Sequence, residues 1–295
     1  MAIYLWGGCE LDDCAKKLRS QDPKNKYWYL GGTSCGSLFS DPGEIAQKVY
    51  SWYNKLKETD RRYESILQFN DLYKEIVSKD YFTEQLPHIT KKDWLVISFT
   101  KEIYPRCNYK SEHITIGQNI LEGAKKAIDT GLDSAVYETL ANKQYAVGFD
   151  DELVIHNYKN NWGPKLADYF AGVFADRVLL VHVEPARRRF NKRFGQYWSL
   201  PTSASFSSVY AAANNGKYHD KSNWYEVNKA IRFLHTGFRM RYPYKIPHVT
   251  IGHKDTVADD HHSLGPNPFH FDSKTIKHIS NVIKSQVDLI PEKTV

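Results

Sequence analysis

Five short apolar runs punctuate the chain: Ile3–Trp6, Tyr27–Leu30, Trp94–Phe99, Val178–Val183 and, with more polar character, His248–Ile251. Each is rich in β-branched or aromatic residues, and none alternates cleanly with polar positions, which is how strands buried on both faces read. Helical periodicity lies between them. Glu44–Leu56 carries Ile45, Val49, Trp52 and Leu56 at three-to-four spacing, with Asp41 as a candidate N-cap and Pro42 at the first helical position. Further helices are expected over Ala15–Arg19, Arg62–Val77, Gly117–Asp129, Pro164–Phe174, Trp224–Leu234 and Ser273–Ile283. Strands alternating with helices predict an α/β fold, a three-layer sandwich around a mostly parallel central sheet of about five strands. No repeat or low-complexity linker interrupts the pattern, so residues 1–295 are expected to form one domain. Thr202–Gly216, rich in Ser, Ala and Asn, reads as an insertion loop and a candidate flap.

Composition narrows the picture a little. A net charge of +6 permits anionic partners without demanding nucleic acid, and none is expected. The chain has no apolar run of membrane-spanning length. Its first residues show neither a basic segment nor a long apolar one, so no signal peptide is expected and the cytoplasm is the expected compartment. The four cysteines, Cys9, Cys14, Cys35 and Cys107, lack metal-ligand spacing and read as free thiols.

The most specific chemistry sits at Gly7-Gly8-Cys9-Glu10-Leu11-Asp12-Asp13, where the first strand runs through two glycines into a thiol and a helix. Open α/β sheets bind ligands at the carboxyl ends of their strands. A helix N-terminus there supports a thiolate, the backbone amides of Cys9 and Gly32 are the candidate oxyanion donors, and Gly8 is a candidate substrate contact. The second run ends in Gly31-Gly32-Thr33-Ser34-Cys35-Gly36-Ser37, whose Gly32 and Ser34 are candidate substrate contacts at the same edge. His270, just ahead of Asp272 or Ser273 as the cap of the last helix, is a candidate general base for Cys9, oriented by Asn267, with His262 as the alternative base.

Other clusters compete. Asp259-Asp260-His261-His262, with His248 and His253, has metal-ligand chemistry but matches no known spacing, so no metal is assigned. Arg187-Arg188-Arg189 and Lys192-Arg193 read as a solvated helical face, with Arg187 near enough to the sheet edge to hold a phosphate or carboxylate.

Taken together these residues resemble the SGNH (GDSL-like) hydrolase superfamily, and more narrowly an uncharacterised bacterial branch found with surface-polysaccharide genes. Gly7-Gly8-Cys9 looks like that branch's Gly-Ser-Cys opening, with Cys9 at the superfamily's serine position. Thr33-Ser34-Cys35-Gly36-Ser37-Leu38 looks like its second block, and Asp93–Glu102 like its central strand. His262-Ser263-Leu264-Gly265 and Pro268-Phe269-His270-Phe271 look like its closing patterns. The chain departs from the superfamily in lacking the Gly-x-Asn-Asp block and in reading Asn267 where an aspartate is usual. The resemblance implies an acyl esterase or acyltransferase acting on a carbohydrate or glycopolymer precursor, with an acyl donor and no cofactor. A non-catalytic glycan-binding accessory protein is the alternative, and a metal-dependent phosphoester hydrolase a third reading.

Overall fold

The computed structural model describes residues 1–30, 38, 43–59, 83–84, 86–100, 106–109, 112–115, 118–142, 145–146, 163–200, 224–259 and 269–289. The five apolar runs are five parallel strands of one sheet: β1 (Ala2–Trp6), β2 (Lys26–Tyr29), β3 (Trp94–Ile97), β7 (Val178–Val183) and β10 (His248–Ile251). Their order across the sheet is β10–β7–β3–β1–β2. All four residues of β3 and all six of β7 are buried, so both faces of the sheet are covered. The flanking strands β2 and β10 are partly exposed, as edges are.

Seven helices are described. They are α1 (Cys9–Gln21), α2 (Gly43–Thr59), α3 (Gln118–Ile128), α4 (Ser134–Asn142), α5 (Gly163–Phe174), α6 (Trp224–Arg241) and α7 (Ser273–Asp288). α1 packs on α7, and α5 on α6, and both α6 and α7 reach β7. The result is the expected three-layer α/β sandwich. Trp6, Phe99, Phe170 and Phe238 anchor the main core, Trp6 meeting Phe99 and Phe170 edge-on and Phe238 lying tilted against Phe99.

Several elements differ from expectation. α1 begins at Cys9 itself and not at Ala15, because Leu11, Cys14, Ala15 and Leu18 form one buried stripe. α6 runs seven residues past Leu234, and α7 continues to Asp288. A small antiparallel sheet, β5 (Glu112–Thr115), β4 (Arg106–Tyr109) and β6 (Tyr145–Ala146), was not anticipated. Its strands are too short and polar to stand out as apolar runs. Ile45, Val49, Trp52 and Leu56 of α2 do share a face, and they pack with Ala124, Ala127, Leu132, Val136 and Leu140 as a second apolar cluster. The arginine run is not helical: Arg188–Asn191 (β8) and Gln196–Ser199 (β9) form an antiparallel hairpin. Arg62–Val77, Asp41, Pro42 and Thr202–Gly216 lie outside the described residues.

The turn from β1 into α1 is set by space. A Cβ on Gly7 would lie 2.9 Å from both Cβ and the carbonyl oxygen of Ser98, just past the end of β3. One on Gly8 would collide with Glu10 Oε2. Gly8 is extended (φ −80°), so its conformation is open to any residue and only the contact demands glycine. Gly7→Ala is therefore expected to cost about 1–3 kcal/mol in urea unfolding. Gly172→Ala, in α5 where a Cβ meets nothing within 4 Å, should instead stabilise by about 0.5–1 kcal/mol. Equal effects at the two sites would refute the steric account.

Candidate functional site

The chain runs from β1 to β2 on one side and then crosses β1 to reach β3 on the other. Winding therefore reverses between β1 and β3, and a crevice opens at the carboxyl ends of strands where it does. The two edges of the sheet treat buried acids differently. At the amino edge, Asp93 accepts from Ala2 N, Thr90 N and Thr90 Oγ1, and Asp22 accepts from Asn25, Tyr27 and Lys24 N. Those carboxylates are fully engaged ties.

At the carboxyl edge, Glu10 is 1 % exposed. Its Oε1 accepts from Ser98 Oγ at 2.7 Å, and Ser98 Oγ is 2.7 Å from Thr100 Oγ1. Oε2 has no hydrogen-bond partner among the described residues. Burial pushes the Glu10 carboxyl above its usual range, against the opposing pull of the Ser98 and Thr100 hydroxyls. Glu10, Ser98 and Thr100 thus bridge the ends of β1 and β3 at the reversal.

Cys9 stands exposed at the first position of α1. Its N-cap is Gly8, which contributes no side-chain cap. Helix geometry leaves the first-turn N–H groups pointing out of that end. Tyr29 donates its hydroxyl to the carbonyls of Gly7 and Gly8, at 3.0 and 3.3 Å, which steadies the turn from β2.

His270 is buried, and its carbonyl accepts from Asp259 N at 2.8 Å. Two residues later Asp272 caps α7 by accepting from Thr275 N at 2.8 Å, and its own N–H donates to the Val257 carbonyl. α1 and α7 run side by side and parallel. Cys14 Sγ meets the Ile276 carbonyl at 4.0 Å, and Asp22, the C-cap of α1, meets Lys284 at 3.6 Å. Both contacts share an offset of 262 residues, which places Cys9 level with Phe271, the neighbour of His270.

A second polar cluster occupies the carboxyl ends of β7 and β10. Glu184 is paired with Arg232 and accepts from His253 N at 2.9 Å, with His253 Nδ1 at 3.0 Å. Burial opposes its charge, but those partners and Asn228 prevail and hold it at about 2. Asn228 turns its Nδ2 toward Glu184 Oε1 (3.4 Å) and its Oδ1 toward His182 Nε2 (2.8 Å). That orientation puts the His182 proton on Nε2 and leaves Nδ1 as a buried acceptor with no donor among the described residues. The His182 ring lies 5.3 Å from that of His235, which lies 5.5 Å from His248 and 5.0 Å from Phe99. Both ring nitrogens of His235 are buried without a hydrogen-bond partner among the described residues.

Of the residues proposed from sequence, Cys9, Gly8 and His270 fall at one edge of the sheet, on neighbouring helix starts. Arg187 is exposed between β7 and the hairpin at that same edge. Asn267, His262, Gly32 and Ser34 lie outside the described residues, as do Asp260 and His261. No group of three or more His, Cys, Asp or Glu among the described residues is arranged to hold a metal ion. No helix among them is long and apolar enough to cross a membrane.

Sequence reasoning passed over Glu10, Ser98, Thr100, Glu184 and Asn228. One signal was available: His182 interrupts an otherwise apolar six-residue strand. Compared with protein-family models, curated proteins and solved structures, the chain matches none.

The histidine layer has a pH consequence. Burial holds His182 down at about 4, and burial with the charges of its neighbours holds His235 well below the ordinary value. The unfolded chain takes up these protons below about pH 6.5, whereas folded His182 does so only near 4. The contribution of these histidines to stability is therefore fully present above pH 6.5 and declines as pH falls toward 4, His182 accounting for about 3 kcal/mol of it. Glu184 adds a separate loss between pH 4.5 and about 2. Urea unfolding across pH should show the first decline, and His235→Leu should make it shallower with little change at neutral pH. An acid limb of unchanged slope in that variant would contradict this account.

Proposed function

We propose that the protein transfers or hydrolyses an acyl group through a thioester on Cys9, with His270 as the general base. The observation that carries this reading is the placement of an exposed thiol and a buried imidazole at the starts of two parallel, packed helices, beside the reversal point of the sheet. His270 takes the Cys9 proton, and the thiolate attacks the carbonyl carbon of an acyl donor. The N–H groups at the start of α1, with those of the Gly32 segment, are the assigned oxyanion donors. The tetrahedral adduct then collapses, and His270 returns the proton to the departing oxygen. Water, or the hydroxyl of an acceptor, takes the acyl group from sulfur in the second half.

Asn267 is the proposed orienting residue for the base, and His262 its alternative. A carbohydrate or glycopolymer precursor is the proposed acceptor on the strength of the family resemblance.

The test begins with the cysteines. Cys14 is fully buried and burial pushes its thiol far up, so it should be inert to iodoacetamide, while Cys9 should be modified rapidly at neutral pH. Incubation with an activated acyl ester should leave the acyl group on Cys9 in the intact-mass spectrum. Cys9→Ala should abolish turnover and His270→Ala should lower it by about 10²–10⁴-fold, with the double variant little worse than the worse single one. Full turnover by Cys9→Ala at normal abundance would reject the proposal.

A further inference from the structure

In the hairpin β8–β9 all four residues of β9 are exposed and all four of β8 half-buried, and its composition is one-sided. Arg187, Arg188, Arg189, Lys192 and Arg193 fall within Arg187–Ser199, and the segment contains no Asp or Glu. Three large apolar side chains are nonetheless held in solvent there: Phe194 is 55 % exposed, Tyr197 56 % and Trp198 38 %. They are ordered by contacts within the hairpin. Phe194, in the turn, stacks on Trp198 at 5.5 Å with 23° between the rings. Arg193 lies over Phe194 at 5.5 Å and Arg189 over Trp198 at 5.3 Å. On the opposite face Arg188 lies over Tyr197 at 4.6 Å, and Phe190 meets the same ring at 5.1 Å.

We propose that this hairpin is a membrane-docking element, whose tip enters the interface of an anionic lipid bilayer while its arginines bind the headgroup phosphates. The chemistry favours lipid over other anions for two reasons. Phe194 has no hydrogen-bonding group to offer a polar polymer, whereas an exposed Phe beside Trp and Tyr is the composition that settles at a membrane–water interface. A nucleobase needs an open ring face to stack upon, and here Phe194 and Trp198 stack on each other and each already holds a guanidinium within 5.5 Å of its ring centroid. The five cations match a negatively charged leaflet, and the absence of acids in the segment removes local repulsion.

The root of the hairpin is tied to the body. Arg188 O accepts from Ala258 N at 2.9 Å, and Ala258 bridges on its other side to Phe271. Docking of the tip therefore holds the carboxyl edge of the sheet toward the bilayer. This inference is independent of the acyl-transfer reading.

The full-length protein is sedimented with vesicles of phosphatidylcholine alone and with an equimolar mixture of phosphatidylcholine and phosphatidylglycerol. Binding is expected to the mixed vesicles and not to the neutral ones. Phe194→Ser should weaken it about tenfold and Arg193→Gln about fivefold, both with unchanged thermal midpoints because the side chains make no core contacts. Cys9→Ala should bind vesicles as the parent does, so that failure of the catalytic proposal and failure of this one are separable. The proposal is overturned by absence of binding to the mixed vesicles, or by binding that Phe194→Ser leaves intact, which would mark simple charge adsorption. It is equally overturned if oligothymidylate or polygalacturonate, and not the vesicles, shows the binding that Phe194→Ser weakens.

Discussion

The close approach of β1 to β3 at their carboxyl ends is the constraint on which the rest of the structure depends. Gly7 lets the main chain of β1 lie against Ser98, and Gly8 leaves a berth for the Glu10 carboxyl group. With both spaces filled by the protein's own atoms, α1 starts at once after the strand and Cys9 takes its first position. A bulkier pair would push β1 from β3 or expel Glu10, and either would displace the thiol. The glycines thus serve the fit between protein segments, and the exposure of Cys9 follows from that fit.

Buried polar atoms without partners among the described residues occur at both ends of the sheet, including Trp94 Nε1 and His248 Nε2 at the amino ends of β3 and β10. The ionisable ones include Glu10 Oε2, beside the ends of β1 and β3, and His182 Nδ1 with both nitrogens of His235 in the histidine layer against β7. Each costs about 1–3 kcal/mol relative to a satisfied group. Asp22 and Asp93 at the amino edge are instead engaged in three hydrogen bonds each. Proteins keep such costs where a site demands them, and the apolar layers on either side of β3 and β7 offset them.

The central sheet was legible because its strands are buried on both faces. Val178–Val183 and His248–Ile251 have the bounds read from composition alone. The positions of Cys9 at the start of α1 and of His270 just ahead of α7 were legible because helix boundaries carry their own signals there, glycines before one and a capping aspartate before the other. What could not be read depends on distant partners. Glu10 looks like an ordinary first-turn acid until Ser98, 88 residues away, closes over it. The hairpin was mistaken for a helical face because a run of arginines carries no hydrophobic period. Its strand character comes from cross-strand pairs such as Phe190 with Tyr197 and Arg189 with Trp198, which only the register reveals. The small antiparallel sheet was hidden for a similar reason, since β4, β5 and β6 are two to four residues long.

The 262-residue offset between α1 and α7 also bears on when the crevice comes into being. β1 lies second from one edge of the sheet and cannot acquire both neighbours until residues 94–97 are available. The wall beside Cys9 waits longer still, for residues 270–276. During synthesis, then, Cys9 exists for most of the elongation period without α7 beside α1. A nascent chain would carry Cys9 in an unfinished setting, which is completed only when the last helix folds against the first.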